Sequence, residues 1–467
     1  MKQIGYADIV LGLQFGDEGK ARVVDNLASQ YDIIARFNGG SNAGHIIVNK
    51  KGPVTIHQIP SGIFHPKTTL YIGSGCVVNI KKLAEEIKVV GDYGIGLEKR
   101  LKISSQASIV QPHHILLDDL LGKSIGTLKH GIGPAYADRA MRMYGDRLVN
   151  IRLADVIDNP THMFSIIKTN LKIVQKQYKL PVSVEKEIEA VEKAFAQIRS
   201  YIEIDPLYMQ RRVEKGSRVL FEGAQSVMLD VVKGSVPYVT ASSTIAAAAY
   251  TGGDLSPKYH RKTIGVVKAI MSRVGYGPFP SEFGGKQSED YCMETYNDET
   301  RHTKDVEATY KVDELISSPE HFYVGVGLRV LSEEYGATSA PRRIGRLDLV
   351  QLHYAAKLNG IDELIITKCD VLNAFSKIRH GGIPLVVGYK LDAKTIDYVP
   401  AASDAFYRVK PIISYEKPFI EDISHIRSFD KLPLALRKHI KLIEKASGCK
   451  VVGLGVGPKR EQYISIP

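Results

Sequence analysis

Nine residues near the start of the chain, Gly12-Leu13-Gln14-Phe15-Gly16-Asp17-Glu18-Gly19-Lys20, combine a glycine-rich backbone with two acids and a lysine. An apolar run (Ile9, Val10, Leu11) precedes them, and Val23, Val24 and Leu27 follow at helical spacing. The pattern predicts a strand that stops at a glycine turn and a helix whose N-terminal N–H groups face that turn. Such a turn binds phosphate through backbone amides and the helix dipole. Lys20 adds a point charge for phosphoryl oxygens. Asp17 is the odd member, because a carboxylate repels phosphate unless a metal bridges them or it has a proton to remove. The segment is not a regular P-loop: Gln14 stands where G-x-x-x-x-G-K-[ST] wants Gly, and Ala21 supplies no hydroxyl for magnesium. A conventional P-loop GTPase is therefore disfavoured.

Other turns of this kind follow strand-like runs. Phe37-Asn38-Gly39-Gly40-Ser41-Asn42-Ala43-Gly44-His45 follows Ile33-Ile34-Ala35-Arg36. Thr367-Lys368-Cys369-Asp370 follows Leu364-Ile365-Ile366 and so lies at the carboxyl end of a strand, where open α/β sheets bind ligands. Gly455-Val456-Gly457-Pro458 follows Val451-Val452. The elements that must position these turns read as short apolar strands at 7–13, 32–37, 217–222, 263–270, 322–328, 363–368 and 450–455, alternating with helical patterns. That alternation predicts an α/β fold, a large mostly parallel central sheet flanked by helices. One helix starts after Asn159-Pro160, with Phe164, Ile167, Leu171 and Val174 on one face, and another carries Ile188, Val191, Phe195, Ile198 and Ile202. The stretch from about 284 to 335 is polar and irregular, and reads either as an insertion around a mobile active-site region or as a plain surface excursion.

At 467 residues and 44% hydrophobic, the chain has ample material for a large core. Its formal charge of +11 invites a nucleic-acid reading. No dense basic run with interleaved aromatics supports that, and anionic nucleotide substrates explain a basic cleft equally well. Cys76, Cys292, Cys369 and Cys449 form no C-x-x-C pair, so neither a zinc site nor a disulfide framework is indicated. The N-terminus makes a poor signal peptide, and no apolar segment approaches the roughly 20 residues that span a bilayer. A cytoplasmic protein is expected.

Together the G-D-E-G-K and N-A-G-H segments resemble adenylosuccinate synthetase, the GTP-dependent purine-pathway ligase. The resemblance continues in family order through Ile59-Pro60-Ser61-Gly62, Gly131-Ile132-Gly133-Pro134-Ala135-Tyr136, Phe221-Glu222-Gly223-Ala224-Gln225, Pro237-Tyr238-Val239-Thr240, Arg273-Val274-Gly275, Gly277-Pro278-Phe279-Pro280, Thr367–Asp370 and Gly455–Pro458. It implies one synthetase domain over 1–467, with a P-loop-like nucleotide region, a helical excursion at about 100–210 and the insertion at about 284–335. The implied reaction joins IMP and L-aspartate through a 6-phosphoryl-IMP intermediate, with GTP as phosphoryl donor and Mg2+ as cofactor. Asp17 is then the general base at purine N1 and a magnesium ligand. His45 is the general acid, Lys20 serves phosphoryl oxygens, Gln225 holds the 6-oxygen and the Gly44 carbonyl is the second magnesium ligand. GTP would meet Gly16, Asp17, Glu18, Gly19, Lys20, Gly44, His45, Arg343, Lys368, Asp370, Gly455, Val456 and Gly457. The Asp370 carboxylate can accept both the N1–H and the 2-amino hydrogens of guanine, a pair that adenine lacks. IMP would meet Asp17, Lys20, Asn42, Ala43, Gly44, His45, Thr127, Arg142, Gln225 and Thr240, with Arg142 reaching the neighbouring subunit of a homodimer. Aspartate would meet Thr338, Ser339, Arg342 and Arg343.

The chain departs from the family pattern at three places, the first being Phe15 where the first motif carries Trp. Leu128 replaces a hydroxyl residue of the 5′-phosphate loop, where Lys129 offers electrostatic compensation. The loop Thr338-Ser339-Ala340-Pro341-Arg342-Arg343 is one residue shorter than T-T-G-R-x-R-R and lacks its first arginine. Two alternatives follow: a ligase using another purine monophosphate or amine donor, and a non-catalytic GTP-binding paralogue. Asp17, His45 and Gln225 speak against the second.

Overall fold

The computed structural model describes every residue except 1–3, 50, 51, 299, 337, 338, 379, 380 and 467. The chain forms two compact units, one of Met1–Val10, Lys20–Ala224 and Thr240–Lys262, the other of Leu11–Gly19, Gln225–Val239 and Thr263–Pro467.

In the first unit lie β1 (Ala7–Gly12, up to Val10 in this unit), β2 (Ile33–Arg36), β3 (Thr69–Ile72), β4 (Leu101–Ser104), β5 (Ile202–Glu203) and β6 (Val219–Glu222). Strands β1, β2 and β6 match expected runs, and β3 and β4 are additional. Ile202, expected on a helix, lies in β5 because that helix ends at Ile198 and a 3-10 turn, Arg199–Tyr201, follows it. The six strands lie in the order β5-β4-β3-β2-β6-β1, with every neighbouring pair parallel. The register sets Ile9 beside Phe221 and Phe221 beside Ala35. All residues of β1, β2 and β6 are buried, which is why they read as continuous apolar runs rather than alternating ones. Helix α1 (Lys20–Leu27) opens directly after Gly19. Further along come α2 (Pro112–Leu121), α3 (Ile132–Met141), α4 (Pro160–Tyr178) and α5 (Val184–Ile198). The Asn159 side chain caps α4 by accepting from the His162 N–H, and Phe164 meets Phe195 edge-on across the α4–α5 contact.

In the second unit β7 (His260–Lys268, from Thr263 onward), β8 (Glu363–Thr367) and β9 (Lys450–Gly455) run parallel, and β10 (Tyr463–Ser465) returns antiparallel. Helix α6 (Lys286–Asn297) and helix α7 (His321–Ser332) fall inside the stretch read as irregular. The strand expected at 322–328 is therefore a helix. Phe322, Val324, Val326 and Leu328 alternate like a strand, and the positions the helix leaves exposed include Tyr323 and Leu331, so no polar face betrays its period. Gly325 and Gly327 let the helix pack closely, since a Cβ there would lie 2.9 Å from Phe283 Cβ and 2.8 Å from Ile316 Cγ1. Arg329 on α7 is 1% exposed and makes a two-pronged ion pair with buried Glu307. All four cysteines are buried and unbridged. Among the described residues no helix is long and apolar enough to cross a membrane.

Candidate active site

The turn after β1 is held by its own acid. Buried Glu18 accepts the N–H groups of Gln14 (3.1 Å) and Gly16 (3.0 Å) and the Ser226 hydroxyl (2.5 Å). Gln14, the residue that departs from a P-loop, exchanges two hydrogen bonds of 3.0 Å with the backbone of Lys268 at the end of β7. Gly16 and Gly19 take positive φ, and so does Asp17 at 58°. A non-glycine residue in this region is strained by about 1–3 kcal/mol, which surrounding structure must impose. The Asp17 carboxylate is 42% exposed and pairs with Arg342 Nε at 2.9 Å. Desolvation by the surrounding protein disfavours the charge, but the Arg342 and Lys268 cations outweigh this and hold the carboxyl below its usual range.

Two more nominated residues of this unit share the left-handed backbone, Gln225 at φ 54° and Lys368 at φ 58°. Gln225 Oε1 is buried with no hydrogen-bond partner among the described residues. Thr367 ends β8 and donates its hydroxyl to the Glu18 carbonyl at 2.8 Å, so the Lys368–Asp370 loop leaves from the floor of the Gly12–Gly19 turn. Asp370 sits in the first turn of the 3-10 helix Cys369–Lys377. Gly455 lies close against Thr367, with 3.3 Å from its Cβ position to the Thr367 Cα, and Val456 is fully buried. Gly457 abuts the Gln462 side chain.

The shortened loop is compact: Gly336 N–H donates to the Ala340 carbonyl, and Ser339 takes φ 61°. Thr338 lies outside the described residues. Arg342 reaches Asp17. Arg343 is occupied on every nitrogen: Nε and Nη2 donate to Glu282 at 3.0 and 2.6 Å, and Nη1 donates to Glu289 and to the Gly275 and Gly277 carbonyls.

In the first unit His45 opens the strand His45–Asn49 and is 8% exposed. Its Nδ1 lies 2.7 Å from Glu222 Oε1 at the end of β6. Ser61 supplies its hydroxyl (2.5 Å) and its N–H (2.8 Å) to the same carboxylate. Burial pulls the imidazolium below its ordinary range, although Glu222 opposes it. Burial alone would raise Glu222, but His45, Arg36 and the Ser61 hydroxyl bring it down to about 2. An Nδ1–H donated to Glu222 fixes the tautomer and leaves Nε2 as the atom that exchanges protons. Glu222 was quoted within a motif but given no role. Its signal was a glutamate, buried by its neighbours, at the carboxyl end of an apolar strand.

Asn42 Oδ1 accepts the Gly40 N–H at 3.3 Å, and the Ala43 carbonyl accepts from His57 at 2.7 Å. Gly44 is exposed, with nothing within 4 Å of its Cβ position, and Lys20 is 5% exposed. Thr127 abuts Gly122, and Thr240 is half-buried. Leu128 is 49% exposed, and Lys129 pairs with exposed Asp119. Arg142 is exposed and ends α3 with φ 67°.

A magnesium ion takes hard oxygen donors such as the Asp17 carboxylate. Among the described residues one cluster has metal-ligand spacing, His113, His114 and Asp138. His114 Nδ1 accepts the Gln111 N–H at 3.0 Å, so its proton sits on Nε2 and is donated to Asp138. A metal needs that Nε2 lone pair. The cluster is a helix-packing contact.

A sequence model described as adenylosuccinate synthetase matches residues 9–464. Adenylosuccinate synthetase 2 of Cupriavidus pinatubonensis is 42% identical over 460 residues, covering 98% of this chain and 97% of that protein. The adenylosuccinate synthetase of Bifidobacterium longum is 36% identical over 464 residues, with 98% of each covered. The solved structure of fully ligated adenylosuccinate synthetase from Plasmodium falciparum superposes with TM-score 0.83 at 31% identity, covering 99% of this chain and 100% of that one.

Proposed function

The chain belongs to the adenylosuccinate synthetase family, and from that premise we propose how its residues divide the work. It is a GTP-dependent ligase that forms adenylosuccinate from IMP and L-aspartate in AMP biosynthesis. The 6-oxygen of IMP takes the γ-phosphoryl group of GTP as the N1 proton leaves, and the aspartate amine then displaces phosphate from C6.

In the second unit Asp17 takes the N1 proton once Arg342 lets go of it. Gln225 donates its amide N–H to the 6-oxygen as charge builds there. Asp370 accepts the guanine N1–H and 2-amino hydrogens, with Lys368, Gly455, Val456 and Gly457 walling the base. Ser339 and Arg342 meet the aspartate carboxylates, while Arg343 is the frame on which their loop is built. In the first unit Lys20 serves phosphoryl oxygens at the start of α1, and His45 donates from Nε2 as charge moves onto the transferring phosphoryl group. Asn42, Ala43, Gly44, Thr127 and Thr240 hold the monophosphate. Asp17 and the Gly44 carbonyl would hold Mg2+, which when bound neutralises phosphoryl charge. The protein works as a homodimer in which Arg142 enters the neighbouring site. In support, the segment around it exposes Leu121, Leu128, Met141, Met143 and Tyr144.

The observation that carries this reading is the Gly12–Gly19 turn. Glu18 organises a phosphate-type loop so that an acid projects from left-handed backbone, which no simple phosphate binder requires. Phosphate release from GTP that depends on both IMP and aspartate tests it. Asp17→Asn is expected to lower kcat roughly 10²–10⁴-fold with an unchanged fold. Near-native kcat in the folded variant would refute the assignment.

A further inference from the structure

Glu334 stands where three loops of the second unit meet. It follows α7, opens the loop that carries Arg342, and is 3% exposed. Its Oε2 lies 2.9 Å from Lys268 Nζ and accepts the Ser272 hydroxyl at 2.8 Å. Its Oε1 lies 2.5 Å from Lys368 Nζ. Its backbone carbonyl accepts the Arg342 N–H at 3.0 Å.

Each of Lys268, Lys368 and Arg342 leads to a different turn or loop. Lys268 is fully buried, so it needs this counterion, and its backbone is the one that Gln14 joins to the Gly12–Gly19 turn. Lys368 starts the loop that bears Asp370. Its left-handed backbone is matched by an ammonium tied to Glu334 and to the Ser332 carbonyl at 2.6 Å. Arg342 belongs to the amine-donor loop. One carboxylate therefore fixes two cations, one at the end of β7 against the Gly12–Gly19 turn and one at the start of the Asp370 loop, while its own main chain begins the amine-donor loop. Movement of one loop on binding must pass through a group whose two oxygens are both committed.

We propose that Glu334 is a positioning residue that couples nucleotide binding at the Asp370 loop to aspartate binding at the 339–343 loop. It touches no substrate and acts through Lys368 and Arg342. This rests on the reading that Asp370 meets guanine and Arg342 meets the amine donor.

The test compares Glu334→Gln, which keeps the shape and removes the charge, with Glu334→Asp, which keeps the charge on a shorter stem. Glu334→Gln is expected to raise KM for GTP and for aspartate by about tenfold each, while KM for IMP stays within about threefold. In the native enzyme KM for aspartate should fall as GTP rises, and in Glu334→Gln that dependence should flatten. Glu334→Asp should restore part of both effects. The double variant Glu334→Gln with Lys268→Met removes the stranded buried ammonium, keeps the fold if the single variant does not, and should show the same KM split. Unchanged KM values for GTP and aspartate, or an equal rise in all three KM values, would overturn the proposal. Asp370→Asn assayed alongside separates the two ideas. If it leaves GTP use unchanged, the guanine assignment falls, whereas a selective effect there with a silent Glu334→Gln sinks the coupling alone.

Discussion

At the scale of single residues, the partner of His45 decides its chemistry. Glu222 accepts the Nδ1–H and supplies the countercharge that a transient imidazolium needs in a buried place. Glu222→Gln removes that charge while keeping the shape, so kcat is expected to fall on the order of 10²-fold or more, with KM for GTP little changed. Stopped-time assays beside a thermal melt check this, and a variant that melts normally and turns over normally would leave Glu222 a purely structural group. Asp17, Lys20 and His45 could be singled out from the sequence because each sits in a short contiguous motif. Glu222 was not paired with His45 in advance because nothing in a linear sequence shows which distant strand ends next to which turn. Gln14 was legible only as an anomaly. Its two bonds to the Lys268 backbone show why a glycine would not serve. Arg343 carries the same lesson, since the convergence of Glu282 and Glu289 on it is a property of the folded loops.

At the scale of elements, continuous apolar runs revealed β1, β2, β6, β7, β8 and β9, with ends within a few residues of those observed, while β3, β4 and β5, of two to four residues, did not stand out. Helix α7 escaped because its exposed positions include the apolar Tyr323 and Leu331, which hides the 3.6-residue period, and its glycines mimic a strand's spacing. Those glycines are there for packing. An added methyl at Gly327 would meet Ile316 at 2.8 Å and Leu315 at 3.1 Å. Overpacking costs about 1–3 kcal/mol and the alanine gains about 1 kcal/mol of helix propensity, so Gly327→Ala should destabilise by a net ~1 kcal/mol. Gly91, in the helix Ile80–Asp92 with nothing within 4 Å of its Cβ position, is the control. Gly91→Ala should stabilise by roughly 0.5–1 kcal/mol. Urea midpoints of both variants decide it, and a stabilised Gly327→Ala would remove the packing account.

At the scale of the whole molecule, each unit keeps a buried carboxylate held down to about 2, Glu222 in the first and Glu334 in the second. Burial would raise Glu334, but Lys268 and Lys368 outweigh it. A carboxyl whose folded value lies below its unfolded value stabilises the fold above the unfolded value, and that stabilisation drains away as pH falls through the folded one. From an ordinary 4.5 to about 2, each group contributes on the order of 3 kcal/mol at neutral pH. Denaturant midpoints should therefore hold steady above about pH 5 and drop progressively from there toward pH 2. A midpoint that stays level down to pH 3 would show that neither carboxylate is held as described.

The complete occupation of Arg343 bears on inhibitor design. If this loop receives the amine donor as proposed, a dicarboxylate mimic has one arginine of it to recruit, because the other would have to abandon two glutamates and two carbonyls. Arg342 in turn is already paired, so such a compound must outbid Asp17 for it. Compounds that ask for only one charged contact at this loop fit that occupation best.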